Sequence, residues 1–413
     1  VEIISQATDT DLAELNKKYD NVVNDEYLKN SEDDDIDNKP TFNFHILESE
    51  KYKKQSYVMK AISQTLTLLK MIWSVRSCDY VLMQNPPSIP VLPMLVVSKL
   101  IFSWKVIIDW HNFGYSIFLL KGESKKIKLL AYLYQKLEFC FGKFADYQIV
   151  VTEKMGQDLI QRWELKNDTE NITVVYDYPD EQFQPTADKV ERRMELIKNI
   201  PDIEDVKKDI DITKYVIGVT STSFTPDEDL QMLLDAIKVL DNKLEDAKKK
   251  FMLIITGKGP MKEKFIQLFN AENFKNIEYR FYYLKLEDYP RLLSLCDFGI
   301  SLHQSSSGLD LPMKVWDMMG CGLPCIAYSY PTLCDELVRV GETGMVFENK
   351  KELVNCLVEM ITDESVRMVM TGITIKRRVE MANAIKDWQV ALANCLKLQN
   401  CVGTRIHEKL SKA

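Results

Sequence analysis

Histidine is scarce in this chain, with four in 413 residues, so one set at a strand end narrows the search for a group that titrates near neutrality. Nine cysteines, an odd number with no Cys-x-x-Cys pair and no Cys/His metal spacing, exclude a disulfide framework and a structural zinc and fit a reducing compartment. A basic surplus is absent: the net charge of −8 argues against nucleic acid as a partner. No apolar run reaches the roughly 20 residues of a membrane span. The longest, residues 89–102, is interrupted by Pro90 and Pro93 and carries Lys99, so it is expected as a buried crossover helix. No secretory signal opens the chain at Val1.

What is present is ordinary globular material, 46% hydrophobic and 28% charged, and long enough for two α/β domains with separate cores. Residues 9–37, ending in SEDDDID, read as a solvated acidic loop. Val58, Ile62, Leu66, Leu69 and Trp73 recur at helical spacing and predict a helix facing the core through that stripe. From residue 79 onward short apolar runs alternate with helical patterns, and strand, crossover helix and strand make βαβ units of a parallel sheet. The fold class expected is α/β, with two doubly wound parallel-sheet domains facing a cleft.

The stretch 305–325, SSSGLDLPMKVWDMMGCGLPC, organises the second half. Ser305, Ser306, Ser307 and Gly308 follow an apolar strand and precede Pro312, a residue suited to open a helix. Such a turn lets backbone amides approach an anion. Lys314 and Asp317, three apart, share one helical face, where a nucleotide sugar offers diphosphate to the lysine and ribose hydroxyls to the aspartate. A surface loop with a helical ion pair is the plain alternative. Gly320 and Gly322 are set to end the helix.

Three further loops follow predicted strands. In DWHNFGY, Asp109, His111 and Asn112 fall beyond a strand's carboxyl end, where open α/β sheets bind ligands; a hydrogen-bonded turn histidine is the competing reading. Thr220, Ser221, Thr222 and Ser223 lie between a strand and a helix expected to begin at Pro226. That places either a phosphate-facing loop or an N-cap cluster. Gly257, Lys258 and Gly259 form a Gly-x-Gly-Pro turn, a weak signal alone. Residues 116–144 mix leucines and tyrosines with Lys121, Lys125, Lys126 and Lys128, a composition suited to a lipid headgroup surface or to the wet side of a core helix.

The string GLDLPMKVWDMMGCGLPC resembles the chitobiosyldiphosphodolichol β-mannosyltransferases, a family of GT-B glycosyltransferases. QNPPSIP, IIDWHNFGYSI and TSTSFTPDEDL match the same family in the same order. Tyr178 departs from it, standing where the family carries Lys-Pro after Tyr-Asp. The family also has a membrane anchor and a Gly-Asp-x-Gly-Arg loop ahead of the point where this chain starts, so the expectation is a fragment, a processed product or a departure. The resemblance implies transfer of mannose from GDP-mannose to dolichyl-diphosphate chitobiose with inversion, at the cytosolic face of the endoplasmic reticulum membrane. Membrane lipid and other dolichol-pathway glycosyltransferases are the further partners implied. No cofactor and no metal are expected. His111 is implied as the base, with Asp109 the alternative. Donor contacts are implied at Thr220 to Ser223, at Gly257, Lys258 and Gly259, at Ser305 to Gly308, and at Asp310, Lys314 and Asp317. The domains expected are an acceptor-side domain at 1–200, a linker at 201–214, a donor domain at 215–385 and a helical segment at 386–413 packing back on the first. A nucleotide-sugar epimerase or hydrolase, or a non-catalytic subunit, are the other functions this fold would permit.

Overall fold

A computed structural model describes residues 2–5, 43–46, 57–120, 122, 124–163, 171–186, 211–225 and 228–381. The acidic stretch 9–37, most of the expected linker, Pro226 and the segment 386–413 lie outside the described residues. The chain divides into two compact units, Val1–Met83 with Pro87–Ile107 and Lys136–Asp146, and Gln84–Pro86 with Ile108–Gln135 and Tyr147–Ala413.

In the smaller unit, β1 (Glu2–Ser5) and β2 (Asn43–Ile46) pair in parallel. The helix Tyr57–Ser74 forms as its periodicity predicts but turns a different stripe inward. Leu68, Ile72 and Val75 are buried, whereas Leu66, Leu69 and Trp73 are exposed. Both stripes are apolar, so spacing alone does not choose between them. The helix Val91–Phe102 likewise buries one side only: Leu92, Leu95 and Val96 are inside, while Val97, Leu100 and Ile101 are exposed. The buried crossover helix expected for 89–102 is corrected to a half-exposed one.

Strands β3 (Tyr80–Asn85), β4 (Lys105–Trp110), β5 (Tyr147–Val150) and β6 (Ile172–Val174) form a four-stranded sheet in that order. Gln84, Asn85, Ile108, Asp109 and Trp110, at the carboxyl ends of β3 and β4, belong to the larger unit.

The larger unit is built on a six-stranded sheet of β7 (Tyr215–Ser221), β8 (Lys250–Thr256), β9 (Ile277–Tyr282), β10 (Phe298–Ser301), β11 (Cys325–Tyr328) and β12 (Gly344–Phe347). The spatial order is β12-β11-β10-β7-β8-β9, with every neighbouring pair parallel. Strands are added outward in one direction from β7 and then in the other from β10, so β7 and β10 flank a reversal of strand order. Loops leaving these two strands at their carboxyl ends diverge and leave room for a ligand. Successive residues of β8 serve opposite faces, Met252 and Ile254 on one and Phe251, Leu253 and Ile255 on the other. Helices cover both sides, which explains why the strands read as continuous apolar runs.

Gly218 of β7 sits opposite Phe298 of β10. A Cβ there would lie 2.8 Å from ring atoms of Phe251 and 3.1 Å from Phe298, whose rings stack at 5.7 Å. Gly218→Ala is expected to overpack this core and lower unfolding free energy by about 1–3 kcal/mol, measured by denaturant titration.

Candidate active site

The loop after β7 is organised by a carboxylate that the sequence reading passed over. Glu228 is 3% exposed. It accepts hydrogen bonds from the Thr222 hydroxyl and, at 2.9 Å, from the Ser223 amide, and it pairs with Lys314 Nζ. Glu228 also bridges in backbone to His303, just past β10. The loops on either side of the strand-order reversal are therefore joined by one buried ion pair. The expected helix start at Pro226 is corrected: the helix runs Leu230–Ala247, capped by Asp229, whose carboxylate accepts from the Met232 amide. Thr222 and Ser223 therefore face Glu228 rather than standing at a helix terminus. Thr220 is a buried strand residue. Ser221 bonds Tyr289 at 2.7 Å and Thr256 at 3.2 Å.

The Gly-x-Gly turn packs against that same loop. A Cβ on Gly257 would stand 1.9 Å from the Thr222 carbonyl oxygen, and one on Gly259 1.7 Å from that of Ser223. Glycine is thus required at both positions by close backbone approach. Between them the exposed Lys258 holds its ammonium 4.9 Å from the centre of the Tyr283 ring.

After β10, the serine turn folds around Asp310. Its carboxylate accepts from Ser305 and, at 3.2 Å, from Ser307, with His303 Nε2 at 3.5 Å. Burial opposes the charge, but the hydrogen bonds from His303 and Ser305 outweigh it and hold this carboxyl below its usual range. Ser305 and Ser307 also accept from the amides of Gly308 and Leu309, and Gly308 adopts a φ of +73°. The helix Met313–Gly320 begins directly after Pro312 and is closed by Gly322 at a φ of +70°. Lys314 and Asp317 share a face but serve different neighbours. Lys314 meets Glu228, whereas Asp317 is pushed up to about 7 by burial and by the charge of Asp180.

The turn after β4 is tied to the serine turn. Trp110 and Phe113 are fully buried, and the His111 amide donates to the Asn85 carbonyl at 2.9 Å. Asn112 Nδ2 lies 3.4 Å from Ser306 Oγ, and Ser116 Oγ 2.9 Å from the same atom. Thr152 donates to the Leu309 carbonyl at 2.7 Å, and Glu336 accepts from the amides of Glu153 and Lys154, each at 2.9 Å. Glu336 thereby caps the helix Glu153–Trp163 at its positive end. His111 Nε2 is 2.9 Å from Asp109 Oδ2. Burial lowers the imidazole pKa, but the hydrogen bond and charge of Asp109, aided by Asp177, raise it on balance.

Among the described residues, no three His, Cys, Asp or Glu side chains gather as a metal site. The sequence reading missed Glu228, Asp177 and His303. Glu228 was visible only as one acid in PDED, and a lone acidic residue in a polar loop carries no signal of burial.

A glycosyltransferase group 1 family model matches residues 214–363, which contain the six-stranded sheet. The solved structure of WaaG, a glycosyltransferase involved in lipopolysaccharide biosynthesis, superposes with a TM-score of 0.62 at 11% identity, covering 94% of this chain and 96% of that one. The fold is therefore that of the GT-B glycosyltransferases, and the chain is a glycosyltransferase. Its sequence is 42% identical over 314 residues to the chitobiosyldiphosphodolichol β-mannosyltransferase of Kluyveromyces lactis, covering 75% of this chain and 69% of that protein. It is 34% identical to the Mus musculus protein of the same name, over 72% of this chain and 65% of that one. The chain belongs to the chitobiosyldiphosphodolichol β-mannosyltransferase family.

Glu228→Ala should lower stability by about 3 kcal/mol, because it strands a largely buried ammonium; urea unfolding reads the change. For Asp317 the folded pKa of about 7 exceeds the unfolded value of about 4, so its charge destabilises the fold increasingly as pH rises between the two. Asp317→Asn is expected to raise the melting temperature at pH 8 and to leave it unchanged at pH 4.

Proposed function

We propose that this chain transfers mannose from GDP-mannose to dolichyl-diphosphate chitobiose, forming a β-1,4 linkage with inversion. The observation that carries this reading is the hydrogen bonding of Asn112 and Ser116 to Ser306. It brings the loop bearing the proton acceptor beside the turn suited to bind a diphosphate.

His111 takes the proton of the acceptor hydroxyl as the oxygen attacks the anomeric carbon, and Asp109 holds the imidazole through Nε2. On the opposite side of the sugar the bond to diphosphate breaks and its electron pair leaves with GDP. Lys314, Lys258 and the loop amides oppose that growing charge. Lys314 reaches the diphosphate by sharing its ammonium with Glu228, a group that carries three donor hydrogens. Asp317 is assigned to the ribose hydroxyls.

The acceptor's polyprenyl chain places the enzyme at a membrane. Leu119, Leu120, Leu129, Leu130 and Leu133 are exposed, and Lys125, Lys126 and Lys128 are exposed among them. That mixture fits a leaflet with anionic headgroups, and the cytosolic face of the endoplasmic reticulum is the location this reading assigns. No helix among the described residues is long and apolar enough to cross a membrane.

The test is transfer of radiolabelled mannose to phytanyl-diphosphate chitobiose across a panel of nucleotide sugars. Only GDP-mannose should serve; transfer from another donor, or none, overturns the reading. His111→Ala should cut kcat by about 10²–10⁴-fold with donor affinity little changed. The wild-type rate should rise with pH through a midpoint above the ordinary imidazole value of about 6.5, since the base must be neutral and its pKa is raised. A Glu228→Gln/Lys314→Gln double variant removes both charges without stranding either, and should weaken GDP-mannose binding about 10–100-fold by calorimetry.

A further inference from the structure

Asp177 lies three residues beyond β6, and its carboxylate is set differently from the other acids near His111. Asp109 is engaged by His111 Nε2 at 2.9 Å, and Asp310 by Ser305, Ser307 and His303. Asp177 Oδ1 instead stands 3.9 Å from His111 Nδ1, beyond hydrogen-bond length. Its side chain is 21% exposed and that of His111 33%, so both are open to a ligand on one side.

We propose that Asp177 is a positioning residue that acts through His111, stabilising the charge that forms on its imidazole. This rests on the assignment of His111 as the base in the transfer proposed above. With Nε2–H directed at Asp109, the basic lone pair is on Nδ1, the nitrogen 3.9 Å from Asp177 Oδ1. When the acceptor O–H bond breaks, its proton forms a new N–H bond at Nδ1. The oxygen bonds to the anomeric carbon, and the diphosphate departs with the electron pair of the bond it leaves. The imidazolium then stands between two carboxylates, Asp109 at one nitrogen and Asp177 at the other. A charge that develops only as the proton moves is stabilised more in the transition state than in the ground state, which raises kcat rather than affinity.

The charged and titratable groups around this pair are Asp109 on β4, with Asp310 next to Asp177 and His303 against Asp310. Burial, and then Asp109 and Asp310, raise the Asp177 pKa against the opposing pull of His111. The charge of Asp177 in turn raises the imidazole pKa, beside the larger contributions of Asp109.

The experiment compares wild type, Asp177→Asn, Asp177→Glu and His111→Gln in the full chain, using GDP-mannose and phytanyl-diphosphate chitobiose. Asp177→Asn should lower kcat at least tenfold, keep GDP-mannose affinity within twofold, and move the acidic limb of the rate profile to lower pH. Imidazole NMR should show the same downward move of the His111 pKa in the absence of substrate. Asp177→Glu, which restores the charge, should recover part of both. A limb and an NMR titration unmoved in Asp177→Asn, or a glutamate variant no different from the asparagine one, overturns the proposal. Should Asp177→Asn lose donor binding, the NMR titration of Asp177→Glu against wild type decides: a His111 pKa far below wild type refutes the role, and one close to it upholds it. Failure of the underlying reading looks different, since wild type would then give no transfer or His111→Gln would keep full kcat.

Discussion

The ion pair between Glu228 and Lys314 is the constraint on which the arrangement of loops at the carboxyl ends of β7 and β10 depends. A carboxylate 3% exposed loses several kcal/mol of hydration, and it is tolerable only with its lone pairs filled. Lys314, the Thr222 hydroxyl and the Ser223 amide fill them. Two of these partners belong to the loop after β7 and the third to the helix Met313–Gly320, so satisfying one acid fixes that loop against that helix. The pair also sets the electrostatics: Lys314 is held in place yet half neutralised, which makes it a positioned cation rather than a strong anion trap.

Backbone approach does the second part of the fixing. Gly257 and Gly259 press on the carbonyls of Thr222 and Ser223 so closely that no side chain fits, and the amide of Thr222 donates back to the Thr256 carbonyl at 2.9 Å. Three loops thus behave as one body. Hydrogen bonds linking Asn112 and Ser116 with Ser306 extend it to the turn that carries His111. Positioning of this kind rests on packed, mutually bonded groups rather than on single contacts.

The strand and helix alternation was legible because both faces of a parallel sheet are buried and its strands read as unbroken apolar runs. The serine turn, the glycine pair and His111 were legible for a local reason: small or titratable residues stood at strand ends. What escaped was decided by tertiary contact. The helix Tyr57–Ser74 has two apolar stripes, and only the packing of Leu68, Ile72 and Val75 shows which is inside. Glu228 reads as one acid in an acidic loop until Lys314, distant in sequence, is placed against it. Asp177 was read only as the second residue of a Tyr-Asp pair that matches the family, with the departure at Tyr178 beside it. Its relation to His111 exists only after β4 and β6 are set into one sheet.

The distribution of charge then bears on the direction of chemistry. A single displacement on a sugar develops positive charge where the base accepts a proton and negative charge where the diphosphate leaves, on opposite sides of one carbon. The unit answers with carboxylates around the imidazole, Asp109 and Asp177, and with ammonium groups at the other loops, Lys314 and Lys258. Were the lysines beside His111, they would depress its basicity and hold the diphosphate on the attacking side. Under the transfer proposed above, this arrangement sets the leaving group and the proton acceptor on different faces of the sugar, which is the requirement of inversion in one step.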